Sequence, residues 1–490
     1  MKKYKVLFFS LTTSFSLLVT VMYGQWLETT ISVGTNPYDL VYNSTDNKIY
    51  TANWGYGAMS VTVIDGATNG VITTIPIGSY PHSLCYNSLN NRIYTVNPYA
   101  SGDNVTVIDG VSNSVIATIL VGTYPYGPMY NPTDNKIYTA NWTSNNVTVI
   151  DGATNSVITT ITLGSPSSLG PEDLGYNPTN NKVYCANWAN NTVTVINGAT
   201  DSIITTIPTG TYPCAFVHNP TNNKVYWANS SASSSSITVL DGATDSVITT
   251  IPVARVPYAL AYNPTNNKVY CANQWRDTVT VIDGVTNSII TTIPVGDEPS
   301  ALLYNPNNNK IYCANSGTYS SMGTTVSVID CVTDNVLTTI TVGNGPKVFT
   351  YNPQYNRVYV ANYYGNSVSI IRDSMMGIEE NREPLSADRT ILTVFPNPAK
   401  TYFTVRLRLD EVCLALPLKL LATRGRRDKV RLQQSANRAQ LKIFDVSGKV
   451  IKETRVNNRE TRISLDGIKN GVYFVQVGNE IINKKLIITK

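Results

Sequence analysis

Ala259-Leu260-Ala261-Tyr262, Lys268-Val269-Tyr270-Cys271-Ala272-Asn273, Thr278-Val279-Thr280-Val281-Ile282 and Ser288-Ile289-Ile290-Thr291-Thr292-Ile293 are four short runs rich in β-branched and aromatic residues. Asn263-Pro264-Thr265-Asn266-Asn267 and Asp283-Gly284 punctuate them. Such runs, bounded by turn residues, read as consecutive strands, here a to d. The Lys/Arg-Ile/Val-Tyr triplet of strand b recurs, ending at Tyr50, Tyr94, Tyr138, Tyr184, Tyr226, Tyr270, Tyr312 and Tyr359, with a mean period of about 44 residues. Four strands at that period make one propeller blade. Strands a, b and c occur eight times, but strand d follows only the first seven units, the last being Leu337-Thr338-Thr339-Ile340. The pattern stops after Ser367-Val368-Ser369-Ile370-Ile371-Arg372. The absent strand stands at the other end, where Leu27-Glu28-Thr29-Thr30-Ile31 matches Val247-Ile248-Thr249-Thr250-Ile251. The expectation is an all-β fold: an eight-bladed β-propeller closed by its N-terminal strand, which covers an edge that would otherwise invite aggregation. Seven blades with a spare unit is the alternative.

Composition agrees. The chain has 490 residues, enough for more than one domain. Only 14% are charged, well below the usual quarter or so. Thr, Tyr, Val and Ile, which favour strands, fill the space together with Asn. This excludes long helices, coiled coils and acidic disorder. The net charge of +5 is unevenly spread, at −7 over residues 25–372 and +9 over residues 373–490. An acidic repeat region argues against a nucleic-acid partner, since phosphate contacts need clustered Lys and Arg.

Tyr359-Val360-Ala361-Asn362, Val281-Ile282-Asp283-Gly284 and Thr291-Thr292-Ile293-Pro294-Val295-Gly296 recur in variants along residues 27–372. In these segments the region resembles the YVTN β-propeller family. The resemblance implies a binding or scaffold role at a cell surface and no single shared reaction. That family is usually seven-bladed, so a count of eight departs from it.

Both ends read as addresses. Met1-Lys2-Lys3-Tyr4-Lys5 and the apolar run Val6 to Met22 form the n- and h-regions of a signal peptide, expected to span residues 1–24. No later segment is long and apolar enough to cross a bilayer as a helix, so no transmembrane segment is expected in the mature chain. Residues 373–390 read as a linker. Val394-Phe395-Pro396-Asn397-Pro398, Leu441-Lys442-Ile443-Phe444-Asp445-Val446-Ser447-Gly448-Lys449-Val450, Gly471-Val472-Tyr473-Phe474-Val475-Gln476-Val477 and the Lys-rich end suggest a small β-sandwich over residues 391–490. These segments resemble the type A sorting domain of the type IX (Por) secretion system of Bacteroidetes. That resemblance implies the type IX machinery as a partner and a final location in the medium or on the outer-membrane surface. Residues 408–439 are basic, lack strand alternation and stand where that family has a short connection, so they read as an atypical insertion. Cys185, Cys271 and Cys313 share one repeat position that Thr51, Trp227 or Val360 fills elsewhere, so they read as buried free thiols, not bridges or metal ligands.

Loop lengths locate the working face. The strand-a Pro and the strand-b Tyr are always 13 residues apart, so the a–b turn never changes. Length varies in the b–c loops and in one d–a loop, and these two classes share a face. The same loops carry the rings. Tyr38, Trp54, His82, Tyr126, Trp142, Trp188, Tyr258 and Trp275 are the candidate ligand-binding residues, because flat rings with a polar edge suit sugar faces and peptide side chains. The alternative is that they pack between blades. The residue after each strand-a Pro is chemically mixed (Tyr38, His82, Tyr126, Glu172, Cys214, Tyr258, Ser300, Lys347), as an asymmetric ligand would require.

Other polar residues read as structural. Asp65-Gly66 and its equivalents suit the c–d turn, with Gly at positive φ. The Asn closing each strand b, such as Asn53, is expected to bond nearby backbone. One carboxylate per blade cannot gather the oxygens Ca²⁺ needs, so no metal is expected, and nothing implies a cofactor. His218 stands where Tyr262 stands in its own repeat and reads as a repeat variant. No catalytic motif is present. Glu172/Asp173 and Asp297/Glu298 read as solvated charges of d–a loops. The expected function is binding of a carbohydrate or protein ligand at the cell surface. The alternatives are a lactonase-like hydrolase or lyase in the central funnel, which convergent ionisable groups would favour, and a structural surface protein with no small ligand.

Overall fold

The computed structural model describes residues 22–376 except 58, 100–101 and 165–169, and, beyond them, residues 391–395, 402–408, 440–445, 449–455, 460–464, 467–477 and 480–488. Residues 1–21 of the expected signal peptide, most of the expected linker and residues 409–439 of the expected insertion lie outside the described residues.

Eight four-stranded antiparallel sheets follow one another along residues 37–76, 83–120, 125–162, 171–208, 213–252, 257–294, 299–341 and 346–376, numbered here as blades 1 to 8. Blade 8 takes its fourth strand from Met22–Ser32, which pairs antiparallel with Ser367–Met376. The strand expected from Leu27 thus begins at Met22, before the expected cleavage after Gly24. Strand c of blade 8 likewise runs on to Met376, so Asp373, assigned to the linker from sequence, belongs to the blade. Within the N-terminal strand a register shift between Leu27 and Thr29 sets Glu28 as an extra residue. Its carboxylate accepts from Arg357 at 2.6 and 2.8 Å and from Arg372 at 3.0 Å. Burial alone would raise the Glu28 pKa, but the two guanidiniums outweigh it and hold it below the usual value.

Strands b and c are buried on both faces, whereas strand d shows alternating exposure at the rim. The reason is that each blade packs face to face on the next. The core is a set of apolar clusters, each shared by two blades. Tyr138, Ala140 and Val149 of blade 3 meet Val183, Cys185 and Ile196 of blade 4. Tyr359, Ala361 and Val368 of blade 8 meet Leu40, Ile49 and Ile64 of blade 1, closing the ring. Cys185, Cys271 and Cys313 are free and buried in these interfaces.

The repeat consensus is written largely for the neighbouring blade. The strand-b Tyr sends its hydroxyl to the c–d turn of the next blade, as Tyr94 does to Asn155 (2.7 Å) and Tyr359 to Asn69 (2.8 Å). The preceding Lys or Arg reaches the same turn, as Lys182 does to Asp245 (2.7 Å). On this a–b/c–d face the Asn ending strand a donates to the a–b turn Asn of the next blade. The links Asn43–Asn91, Asn87–Asn135, Asn131–Asn181, Asn177–Asn223, Asn219–Asn267, Asn263–Asn309, Asn305–Asn356 and Asn352–Asn47 span 2.7–3.0 Å and return to their origin. His218 takes the Tyr role, with Nε2 3.1 Å from Asn223 Oδ1, as Tyr262 stands to Asn267.

Two expectations are corrected. The turn glycine is not at positive φ; Asn69 is, at 61°. Gly66 is required because a Cβ there would lie 2.5 Å from Asn47 Oδ1 and 2.7 Å from Asn352 Nδ2. The Asn closing strand b bonds chiefly side chains of strand c, and Asn273 reaches backbone as well, at 3.4 Å to Thr278 O. Asn53 Nδ2 donates to Ser60 Oγ and Thr62 Oγ1 of strand c, at 3.1 and 2.9 Å.

The residue before the strand-a Pro is left-handed in blades 1, 3, 4, 5, 6, 7 and 8, where it is Asn36, Tyr124, Gly170, Tyr212, Val256, Glu298 and Gly345. Asn and Gly adopt this conformation readily; Glu does not. Glu298→Asn, which also removes a carboxylate from beside Asp277 and Asp297, is therefore expected to raise stability by about 0.5–1 kcal/mol. A urea midpoint that fails to rise would show that no strain is stored there.

The C-terminal unit contains two antiparallel sheets. One joins Ile391–Phe395, Tyr402–Arg408 and Glu460–Ser464. The other orders Val450–Arg455, Gln440–Phe444, Gly471–Val477 and Glu480–Ile488. Leu441, Ile443, Ile463, Ile468 and Tyr473 are buried in it.

Candidate functional site

Strand a is the innermost strand, and each packs on the strand a of both neighbouring blades, blade 8 on blade 1 included. In blades 1, 4, 5, 6, 7 and 8 the register shifts just after the strand-a Pro, between Pro37 and Asp39 or Pro171 and Asp173 for example. A bulge re-aims the side chain it carries. The mixed post-Pro residues therefore ring the mouth of the central channel, on the face of the variable loops.

Rings fill one side of this mouth. Tyr38 lies 4.0 Å from His82, which lies 4.8 Å from Tyr126. Contacts continue through Tyr126–Trp142 (6.3 Å) and Trp142–Trp188 (5.5 Å) to Trp188–Tyr212, stacked at 4.1 Å and 15°. In the other direction Tyr38 meets Tyr363 (5.9 Å), Tyr363 meets Tyr364 (4.9 Å) and Tyr364 meets Tyr319 (6.2 Å). An unbroken aromatic arc thus crosses blades 7, 8, 1, 2, 3 and 4 and ends in the loop before blade 5. Gly170 makes room for it, because a Cβ there would stand 3.2 Å from the Trp142 ring.

The arc gathers six of the eight candidates. Of these, Trp54 is enclosed: Tyr38, His82, Tyr99 and Tyr363 surround it, and its Nε1 is buried without a partner. It packs within the arc. Tyr258 has no ring partner among the described residues and faces the channel beside Glu172, Asp173 and Cys214. Trp275 stands apart on the turn Gln274–Arg276, with the Arg255 guanidinium 5.0 Å over its ring. A cleft of about 580 Å³ near it is lined by Ser233, Ser234, Ser235, Arg255 and Arg276, and is no part of the funnel.

Charge in the channel was under-read from sequence. Glu172 and Asp173 are not loop residues; they open strand a of blade 4, where Glu172 is the extra residue of the bulge at the channel mouth. Each keeps a little accessible surface but is mostly enclosed by protein. Burial raises Asp173 to about 7, even though it accepts the Leu174 amide at 2.9 Å. Burial, then the neighbouring Asp173, raises Glu172 to about 7. Asp39 holds the corresponding place in blade 1. Burial lifts it to about 6, against hydrogen bonds from the Leu84 and Leu40 amides at 2.7 and 2.8 Å. The sequence signal was available, since Ala215, Ala259 and Ala301 fill this position in other blades. His82 is pushed down to about 3 by burial and by the charge of Lys347, so it is neutral at ordinary pH. Lys347 Nζ sits 4.2 Å from the Tyr38 ring centre and 5.9 Å from that of Tyr363. Cys214 and Ser300 are tied to the next blade, Cys214 Sγ at 3.6 Å from Pro257 O and Ser300 Oγ at 3.2 Å from Pro346 O. Asp297 and Glu298 lie in a d–a loop, as expected.

The shift of Asp173 has a measurable sign. Its folded pKa is above the ordinary value of 3.8, so between about pH 4 and 7 the folded state holds a proton that the unfolded chain has released. Stability from this group is full at low pH and is lost as pH rises through that window. Asp173→Asn should flatten the fall, by up to about 1.4 kcal/mol per pH unit. Urea unfolding at about pH 5 and pH 7 tests this; parallel losses in both proteins would contradict it.

Comparison with known proteins identifies the C-terminal unit. Residues 393–489 match the family model described as a secretion system C-terminal sorting domain. No curated protein matches the chain. Among solved structures, Sqt1 of Saccharomyces cerevisiae is similar at a TM-score of 0.60 and 11% identity, over 72% of this chain and 99% of that one. A dihydro-heme d1 dehydrogenase, NirN, in complex with DHE gives a TM-score of 0.56 at 12% identity, over 71% of this chain and 79% of that one. At these identities the likeness shows the fold alone. The sorting domain implies export through type IX secretion to the cell surface or beyond, and contact with that machinery. Among the described residues no helix is long and apolar enough to cross a membrane.

Proposed function

We propose that this exported propeller is a binding protein whose aromatic channel face holds a carbohydrate or protein ligand at or beyond the cell surface. The observation that carries the reading is the continuous ring-to-ring arc from Tyr319 to Tyr212, set on the face where loop length varies. Packing between blades needs no such arc, because the blade interfaces are filled by the strand-b and strand-c clusters deeper in the sheet. The test is a glycan and polysaccharide screen of the whole protein beside the Trp142→Ala/Trp188→Ala variant. Loss of two stacking rings is expected to weaken binding about tenfold or more. Equal binding by the variant would reject the arc as the site. No glycan binding by either protein would leave a protein ligand.

A hydrolase or lyase in the funnel is a second reading. It is favoured by Glu172 and Asp173, two enclosed carboxyls poised to exchange protons near neutral pH. Turnover of a screened saccharide or lactone, abolished by Glu172→Gln, would establish it.

A further inference from the structure

The funnel mouth has an ammonium pole and a carboxyl pole, neither of which makes a direct ion pair among the described residues. Lys347 and Glu172 occupy the same post-Pro place in blades 8 and 4. In a closed ring of eight these blades stand opposite, so the ammonium and the carboxyl face each other across the channel.

Neither group makes a direct ion pair among the described residues. Among the described residues Lys347 makes no hydrogen bond or ion pair; its neighbours are the faces of Tyr38 and Tyr363. The Asp39 carboxylate, which accepts from the amides of Leu40 and Leu84, lies within electrostatic range and offsets part of the Lys347 charge without a direct ion pair. His82 beside it is neutral. Across the channel Glu172 likewise makes no hydrogen bond or ion pair among the described residues. Asp173, whose Oδ1 accepts from Leu174, adds a second carboxyl to the same pole. An enclosed ionisable group without a direct ion pair is costly in its charged form, and a ligand of complementary charge reduces that cost.

We propose that the channel mouth binds a zwitterion, with its anionic group at Lys347, its ammonium group at Glu172 and Asp173, and its body between the Tyr38–His82–Tyr126 wall and Tyr258. A free amino acid and a short peptide share this chemistry and differ in the spacing of their charges. The inference rests on reading this face as the ligand face and adds the class of ligand its centre takes.

The test is calorimetry on the whole protein at low salt. The probes are linear ω-amino acids from glycine to 6-aminohexanoate and oligoglycines of two to four residues. Each is paired with the alkanoate and alkylamine of matching length. At least one zwitterion should bind about tenfold or more tightly than both of its singly charged relatives. The best chain length separates the two sources, short ω-amino acids for a free amino acid and oligoglycines for a peptide. Lys347→Met should reduce that ligand to the level of the amine, and Glu172→Gln/Asp173→Asn to the level of the carboxylate. The wild-type comparison stands even if a variant misfolds. Equal affinity for zwitterions and singly charged relatives, no detectable binding of any probe, or a preference unchanged in both variants would overturn the proposal. If the glycan screen is positive at the same time, the face reading survives and this inference alone fails.

Discussion

A chain made without residues 22–32 is expected to lose the native propeller. From Gln25 onward that segment forms seven registered pairs with strand c of blade 8. It also supplies Glu28, the common acceptor for Arg357 and Arg372. At about 0.5–1.5 kcal/mol net per hydrogen bond, and more where a guanidinium loses its anion, the loss is comparable with the whole stability of an ordinary domain. The strand Ser367–Met376 becomes an open edge, so association of copies should accompany unfolding. Size-exclusion chromatography with thermal melting checks this, and a peptide of residues 22–32 added in trans should restore part of the melt. A truncated chain that stays monomeric with an unchanged melting temperature would mean that the ring does not depend on this closure.

Asp373→Ala is expected to be the most damaging single substitution at a blade interface. Asp373 is fully buried and accepts from Lys310 at 2.9 Å, Tyr312 at 2.8 Å, Asn305 at 3.0 Å and Gln25 at 2.9 Å. It joins blade 7, blade 8 and the closing strand in one group. Removing the anion leaves the Lys310 ammonium enclosed, which in comparable buried pairs costs about 3–5 kcal/mol. Pairing it with Lys310→Met should recover a large part of that loss, because much of the penalty comes from enclosing an ammonium that has lost its anion. Urea unfolding of the two single variants and the double variant measures the coupling. Additive losses would show that the two groups do not act as a pair.

The fold was legible because its information is local and repeated. A strand pattern such as Lys268 to Asn273 carries its own boundaries, and the observed strand spans Lys268–Asn273. The displaced strand d could be placed because Leu27 to Ile31 repeats a sequence seen in the other blades. What the residues hold was less legible, because the partner lies in the next blade. Tyr94 and Asn155 are 61 positions apart, so a fixed Tyr looked like a phase marker instead of a clamp. The same limit explains Gly66, whose constraint is the Asn47–Asn352 link beside it and not its own φ.

The aromatic half of the site could be read, since ring type and loop position are both visible in a sequence. Ring contacts between blades are not visible, so Trp275, which stands apart from the arc, carries the same signal as Trp142 and Trp188. The charged half was missed for a topological reason. Glu172 and Lys347 are 175 positions apart and become opposed only when eight blades close; in a ring of seven they would not be. Asp39 and Asp173 differ from the Ala of sibling repeats by a carboxyl, and the bulge at the start of strand a sets the residue before each, Tyr38 or Glu172, out of the ladder.

The most direct test of the binding face is hydroxyl-radical footprinting of the whole protein with and without the best ligand from the glycan and peptide screens. Protection is expected at Trp142, Trp188, Tyr212, Tyr363 and Tyr258. The rim residues Val115, Ile158 and Ile204 should be unchanged. Protection at the rim strands or on the a–b/c–d face, with Trp142 and Trp188 unaffected, would contradict the account.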